Sequence, residues 1–290
     1  MKAWVSHKLW LARYERAKYR YERAIPSRYF LPEEDFGKFV SRYGKLDAKP
    51  FQCYSLDAME ARAKVRADKL ASLVECSNFT VAEIGAADGL VLKELLGRGA
   101  KEAVAVDIVD LLHPRSREAG VQLALTSAEE MSCLEPCTFD LIYSWGSLEH
   151  IPDIGKTLNE CLRLLKPGGV LYLEAGPLYY SPWGFHYYAT LRIPYIQLLF
   201  PEACLYEYAR EKHKEDSHVP WTNGKPASKY IALLENLPHD IIVAGFWYGF
   251  DWYSSNFIAS FPDIFKSKRI DFDDFFIDTV RFILRKKRCS

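Results

Sequence analysis

The chain is poor in glycine and proline, with 16 and 15 in 290 residues. That excludes collagen-like and low-complexity disordered architectures, and no solenoid repeat is present. Long apolar runs are missing too. The longest, IIVAGFWYGF at 241–250, falls well short of the roughly 18 residues a membrane helix needs. The first apolar cluster, Leu9 to Ala12, is broken by Arg13, Glu15 and Arg16, unlike a secretory leader. Net charge is absent, since 38 basic side chains balance 38 acidic ones, which argues against polyanion binding as the main role. The 7 cysteines, at 53, 76, 133, 137, 161, 204 and 289, form no CxxC pair and no spacing matched to histidine. Free thiols in a reducing compartment are therefore expected, with no metal site, and the expected location is cytoplasmic. Aromatic residues are plentiful, at 14% with 18 Tyr, enough to line a site as well as fill a core.

Trp10, Tyr14, Ala17, Tyr21 and Ala24 recur at four, three, four and three residues, which predicts one face of an N-terminal helix ended by Pro26. Arg13, Arg16, Arg20 and Arg23 form a neighbouring stripe. It reads either as the solvated face of a capping helix or as a contact for a partner or membrane surface. Asp57 and Glu60 have capping-box spacing for a helix through Ala63 and Leu70. From residue 80, short apolar runs alternate with helical periods: TVAEI, AVAV at 103–106, VQLAL at 121–125, FDLIYS at 139–144 and VLYLEA at 170–175. That alternation predicts parallel strands with helical crossovers. IIVAGFWYG and FIDTVRFILRK at 276–286 supply two more strands. The expected fold class is α/β, a doubly wound, mostly parallel seven-stranded Rossmann-like sheet. The expected segments are an N-terminal extension over 1–53, a cofactor-binding core over 54–175, an aromatic lid insertion over 176–240 and closing strands over 241–290.

The sharpest chemical signal is EIGAADG, Glu83 to Gly89, between a strand and a helix, with Asp107 at the end of the next strand. Gly85 and Gly89 allow a tight turn and close approach to a ligand, and the carboxylate of Asp107 suits a ribose diol. The dinucleotide spacing GxGxxG fails, because Ala87 and Leu90 stand where glycines would be required, so NAD is disfavoured. Two carboxylates beside the loop favour a cationic ligand over a pyrophosphate.

These motifs resemble those of the class I S-adenosylmethionine-dependent methyltransferases over about residues 76–175. Glu83, Gly85 and Gly89 fall on the family's first motif, with Ala87 in place of its middle glycine. The resemblance implies S-adenosylmethionine as cofactor, Asp107 and Ile108 at its ribose and adenine, and Ser127 and Ala128 of TSAEEM framing the adenine. FDLIYSWGSLEHIPD, with Ser144, is similar to the fourth-strand motif, and RLLKPGGVLYLEA to the helix and strand that follow. LEHIPD, with His150, resembles the ubiquinone-type O-methyltransferases. The aromatic insertion is similar to lids of bacterial saccharide and natural-product methyltransferases.

Methyl transfer to a hydroxyl calls for positioning and a base. GPLYYSPWGFHYY places Tyr179, Tyr180, Trp183, Tyr187 and Tyr188 around His186, either as an acceptor pocket or as a small second core. His186 and His150 are the candidate bases, His186 ranking first because it follows the fifth strand. No NPPY motif, paired arginine-methyltransferase glutamates or Asp/Asn/His metal set is present, and only the N-terminal 28 residues are strongly basic. Nucleic acid is therefore not expected as a partner. The expected function is O-methylation of a small molecule, a sugar or glycan precursor first and a quinone, phenol or polyketide-like metabolite second. The alternative is a non-catalytic ligand-binding or scaffold protein of the same fold.

Overall fold

The computed structural model describes residues 2–44, 55–74, 77–186, 191–212, 221–251 and 254–288, without side chains for 2–8 and 212. Two compact units divide the chain. A sheet unit comprises 52–175, 231–247 and 280–290, and an aromatic unit comprises 1–51, 176–230 and 248–279.

The sheet unit begins with α3 (Leu56–Ala71), which leads to β1 (Thr80–Ile84), α4 (Leu90–Leu96), β2 (Glu102–Asp107), α5 (Pro114–Glu118) and β3 (Gln122–Leu125). After these come β4 (Phe139–Trp145), α6 (Ile154–Leu164) and β5 (Leu165–Ala175). Late in the chain β6 (Ile241–Phe250) and β7 (Ile277–Lys286) complete seven strands in the order β3-β2-β1-β4-β5-β7-β6. The pairings β3-β2, β2-β1, β1-β4 and β4-β5 are parallel, and β7 runs antiparallel to β5. β1 is buried throughout, which accounts for its unbroken apolar reading with one exception, Glu83. On one face, Ala63, Ala67 and Leu70 of α3 and Leu92 and Leu95 of α4 pack over Val81, Ala105, Leu141 and Tyr143. α6 ends at Leu164, and Gly168 turns the chain at φ +83° before the regular part of β5.

Ser55, rather than Asp57, stands at the N-cap of α3, and it makes no side-chain cap bond. Glu60 does not reach back to close a capping box. It accepts from Arg115 at 2.7 Å and Lys93 at 3.2 Å, because two nearby cations outcompete one backbone amide for a carboxylate.

The aromatic unit contains α1 (Lys2–Arg23), α2 (Phe36–Tyr43), α7 (Ile196–Leu199), α8 (Glu202–Lys212), the start of α9 (Ala227–Glu235), α10 (Ser255–Ser260) and α11 (Pro262–Ser267). Its core joins segments distant in sequence: Ala17 and Tyr21 of α1, Phe39, Tyr195, Phe200, Ile258, Phe265, Phe275 and Phe276 are all buried. Edge-to-face pairs organise it, with Tyr195–Phe265 and Phe265–Phe275 each at 5.1 Å, the arrangement that ring quadrupoles favour. Tyr14 stacks at 5.3 Å on Phe272 and 5.2 Å on Phe276, and the Tyr21 hydroxyl donates to the Ile270 carbonyl. The apolar stripe of α1 is thus a packing face, which supports the capping-helix reading and gives none to a partner or membrane contact there.

The described aromatics of the insertion also go to packing. Phe185 is buried, while Tyr179 and Tyr180 meet edge to face and press on the same core. Trp183 donates its indole N–H to Asp251 at 2.7 Å. Tyr187 and Tyr188 lie outside the described residues. Lys268 is buried at 8% exposure with its ammonium on the Tyr29 carbonyl and against the Tyr29 and Phe30 rings. Among the described residues Cys133, Cys137, Cys161 and Cys204 are free thiols, and no helix is long and apolar enough to cross a membrane.

Candidate functional site

The carboxyl ends of β1, β2 and β3 bring most of the expected residues together within the sheet unit. Gly85, directly after β1, has φ +69° and donates its N–H to the Val106 carbonyl at 2.8 Å. A Cβ at Gly85 would lie 2.4 Å from the Cβ and Oγ of Ser147, so this position admits only glycine. Ser147 sits there because its hydroxyl donates to the Gly85 carbonyl at 3.1 Å. Gly89, at φ +66°, caps α4. Ala87 also takes a left-handed conformation, φ +47°, which costs an L-residue roughly 1–2 kcal/mol. Its N–H donates to Asp107 Oδ2 at 3.0 Å, and the Val109 N–H donates to Oδ1 at 3.2 Å. Asp107 therefore braces the loop and keeps spare acceptor positions, because a carboxylate offers about four.

Beyond Asp107, Ile108 is 73% exposed, an apolar side chain standing in the open beside the loop. The Thr126 N–H donates to the Asp107 carbonyl at 2.9 Å and draws the half-buried Ser127 and Ala128 to the same rim. The Ser127 hydroxyl is engaged locally, accepting from the Glu129 N–H at 3.2 Å. Ser144 stands behind the loop, in the strand beside β1. It is fully buried in β4 and donates to the Ile84 carbonyl at 3.0 Å, tying two strands together.

Glu83 is buried at 6% exposure and accepts from the Tyr143 hydroxyl at 2.7 Å. Burial raises its carboxyl to about 8, with Asp88 and Asp107 adding to the rise, while the Tyr143 bond and the Arg66 charge oppose it. An acid held near neutrality in this way gains most from a cation placed beside it. Sequence reading missed Arg66. It projects from α3, and its guanidinium lies 4.5 Å above the Trp145 ring. Burial lowers its pKa, and the nearby Glu83 and Glu174 partly offset that. Among the described residues its donors take no hydrogen-bond acceptor, so it is a half-buried cation suited to an anionic group. The only sequence signal was an Arg one helical turn from Arg62 on a helix that feeds β1.

His150 closes a short 3-10 turn, Leu148–His150, that follows directly from Gly146 and Ser147. Its position is therefore set by the contact of Ser147 with Gly85. Glu149, 2% exposed, has Oε1 3.9 Å from His150 Nε2. Glu149 was not singled out from sequence, although a Glu beside a His was visible in LEHIPD. His186, in the aromatic unit, has φ +60° and Nε2 2.6 Å from the Pro177 carbonyl. A carbonyl only accepts, so that nitrogen carries the proton.

Residues 82–173 match the family model described as "Methyltransferase domain". Over this stretch, about a third of the chain, the protein is similar to a methyltransferase domain. Curated relatives agree with this domain. The ubiquinone biosynthesis O-methyltransferase of Xylella fastidiosa (strain M23) is 33% identical over 122 residues, 40% of this chain and 49% of that one. The protein of the same description from Xanthomonas euvesicatoria pv. vesicatoria is 31% identical over 150 residues, 50% of this chain and 61% of that one. The chain thus spans about half the length of the curated relatives it matches. A solved structure of a putative S-adenosylmethionine-dependent methyltransferase from Listeria monocytogenes superposes on the methyltransferase fold with a TM-score of 0.51 at 12% identity, covering 79% of this chain and 100% of that one. The cofactor of such domains is S-adenosylmethionine, and the loop geometry suits it: a turn closed to any Cβ, a buried acid and a half-buried guanidinium.

Proposed function

We propose that the protein is an S-adenosylmethionine-dependent methyltransferase acting on an oxygen of a small molecule. The observation that carries this reading is a buried acid, Glu83, held by the Tyr143 hydroxyl directly before the Gly85–Gly89 loop, with the half-buried guanidinium of Arg66 over Trp145 near enough to act on its charge. A buried acid and a half-buried guanidinium together match a zwitterionic amino-acid end. Arg66 holds the carboxylate, Glu83 the ammonium, Asp107 the ribose diol, Ile108 the adenine face, and Ser127 and Ala128 the adenine rim. When bound, the cofactor supplies an electrophilic methyl group on a cationic sulfur.

The protein's own contribution is to position the acceptor and remove its proton. His150 is the base we favour, since its turn is anchored to Gly85 through Ser147. The Glu149 carboxylate lies on the Nε2 side of the ring, Oε1 3.9 Å away, where it stabilises the imidazolium that forms when His150 takes up the proton. His186, oriented by the Pro177 carbonyl within the aromatic unit and not by the cofactor loop, is the second candidate.

A phenolic or quinol-type hydroxyl is the preferred acceptor. The relatives' names point to ubiquinone biosynthesis and none of them mentions a saccharide, so the sugar expected first from sequence passes to second place. The test is calorimetric titration with S-adenosylmethionine, then release of S-adenosylhomocysteine with panels of phenols and of saccharides. Absence of cofactor binding sinks the proposal, and tight binding without turnover on any acceptor supports the ligand-binding alternative.

A further inference from the structure

Next to the cofactor loop, the sheet face beneath α3 holds a group of charges that the site described above leaves largely unused. Trp145, Glu174 and Arg281 stand in register across β4, β5 and β7, and residues paired in this way point to the same face of a sheet. The Gly146 N–H donates to the Glu174 carbonyl at 2.9 Å, so the row is continuous with the turn that carries Ser147 and His150. From α3, the Arg66 guanidinium and the Lys69 ammonium lie 4.5 and 5.1 Å from the Trp145 ring. Lys69 is also 4.8 Å from the Tyr172 ring and donates to its hydroxyl at 2.9 Å. The Tyr172 hydroxyl donates to Glu174 Oε2 at 2.8 Å, and the same oxygen accepts from Arg281 Nε. Trp145 and Tyr172, with ring centroids 5.2 Å apart, form the floor of the group.

Three cations thus share two aromatic rings with one bonded carboxylate. Lys69 gives its bond to a neutral hydroxyl. Burial and the Arg281 charge both lower its pKa, and Glu174 is the acid that opposes them. In the cofactor complex, the bound carboxylate takes up Arg66 and the bound ammonium takes up Glu83. Lys69 and Arg281 then face Glu174 alone, two positive charges against one. A partly desolvated excess cation is stabilised by an anion placed beside it. The group is also open to a ligand, since the Arg281 side chain is 32% exposed and Lys69 is half-buried. One excess charge matches a carboxylate better than a phosphate, which brings nearly two negative charges.

We propose that Lys69 and Arg281 form an anion subsite for the methyl acceptor, and that the acceptor is a hydroxylated aromatic acid whose carboxylate seats there while its hydroxyl is methylated. This rests on the methyltransferase reading and narrows its acceptor. Glu174 fixes the Arg281 guanidinium through Nε, and Tyr172 fixes the Lys69 ammonium, so both cations are oriented before the acid arrives.

The experiment is calorimetric titration of the full chain, saturated with S-adenosylhomocysteine, with hydroxylated benzoic and cinnamic acids and with the methyl ester of each. The acids should bind about tenfold or more tightly than their esters, the worth of a charge-assisted bond. Lys69→Met and Arg281→Met should each remove most of that preference while ester binding holds, and Arg281→Lys should keep part of it. Affinity for S-adenosylhomocysteine, measured in every variant, should hold and reports an intact fold. If Arg281→Met unfolds the β5–β7 edge, Lys69→Met decides, because its ammonium bonds a hydroxyl and strands no carboxylate. No acid binding more tightly than its ester, or a preference that survives both substitutions, overturns the subsite and leaves the methyltransferase reading standing. Weakened cofactor affinity in Lys69→Met with the acid preference intact also overturns it, since the lysine then belongs to the cofactor. Failure of the unaltered protein to bind S-adenosylhomocysteine sinks the methyltransferase reading, and the subsite with it.

Discussion

At Asp107 two backbone amides already hold the carboxylate in place, so a ligand finds it oriented beforehand. A hydrogen bond to a charged group contributes about 1.5–3 kcal/mol. Asp107→Ala should therefore weaken S-adenosylmethionine binding at least tenfold by calorimetry, and an unchanged dissociation constant would remove the ribose assignment. Glu83 adds a pH signature. With its carboxyl near 8, the free protein carries a proton there at pH 7, and an ammonium beside it favours the ionised form. Cofactor binding at pH 7 should thus release a proton, seen as a dependence of the calorimetric heat on buffer ionisation enthalpy, and affinity should rise from pH 6 to 9. Glu83→Gln should abolish both effects. Between the histidines, His150→Ala should lower turnover by about 100-fold to 10,000-fold with cofactor affinity intact. His186→Ala should lower it less, and the reverse order would return the base to His186.

At the scale of elements, the strands were legible because buried parallel strands read as apolar runs, and the cofactor turn because it needs glycines at fixed places. Arg66 was not legible. Its importance arises from the approach of α3 to β1 and β4, and no local pattern marks one arginine among several on that helix. Ser144 shows the opposite case, since it stands in a recognisable motif and its hydroxyl bonds the neighbouring strand, a partner no local pattern marks. The aromatic core was legible only as one of two readings of the insertion, because α1, the insertion and the 255–276 region that build it meet only in three dimensions. α1 carries a clear test of that packing. Tyr21→Ala removes a buried ring and its bond to Ile270, and should cost about 3–5 kcal/mol in urea unfolding. Cofactor affinity should hold, since every residue assigned to the cofactor belongs to the sheet unit.

For the molecule as a whole, two buried titrating groups give the units opposite responses to pH. Glu83 stays protonated in the folded sheet unit up to about 8 but ionises at ordinary carboxyl values when unfolded. The folded state binds more protons over that window, so sheet-unit stability falls as pH rises from about 4.5 to 8. Burial lowers Lys268 to about 7, so the unfolded chain binds the extra proton between about 7 and 10.5. Over that range the stability of the aromatic unit rises. Hydrogen exchange across a pH series resolves the two units. Glu83→Gln should flatten the first slope and Lys268→Met the second, and slopes unaffected by these substitutions would assign the titrations elsewhere.

The bond from Tyr21 to Ile270 joins residues 249 positions apart, and this separation sets a timetable for synthesis. At about 5–20 residues per second on the ribosome, α1 emerges roughly 10–50 seconds before the rings that cover its apolar stripe. β7, which lies between β5 and β6 in the sheet, is made later still. The nascent chain therefore holds an uncovered amphipathic helix through most of its translation, and a five-stranded partial sheet from the completion of β5 at Ala175 until β7 is made. A chaperone that recognises Tyr14, Ala17 and Tyr21 would find them accessible only in that interval.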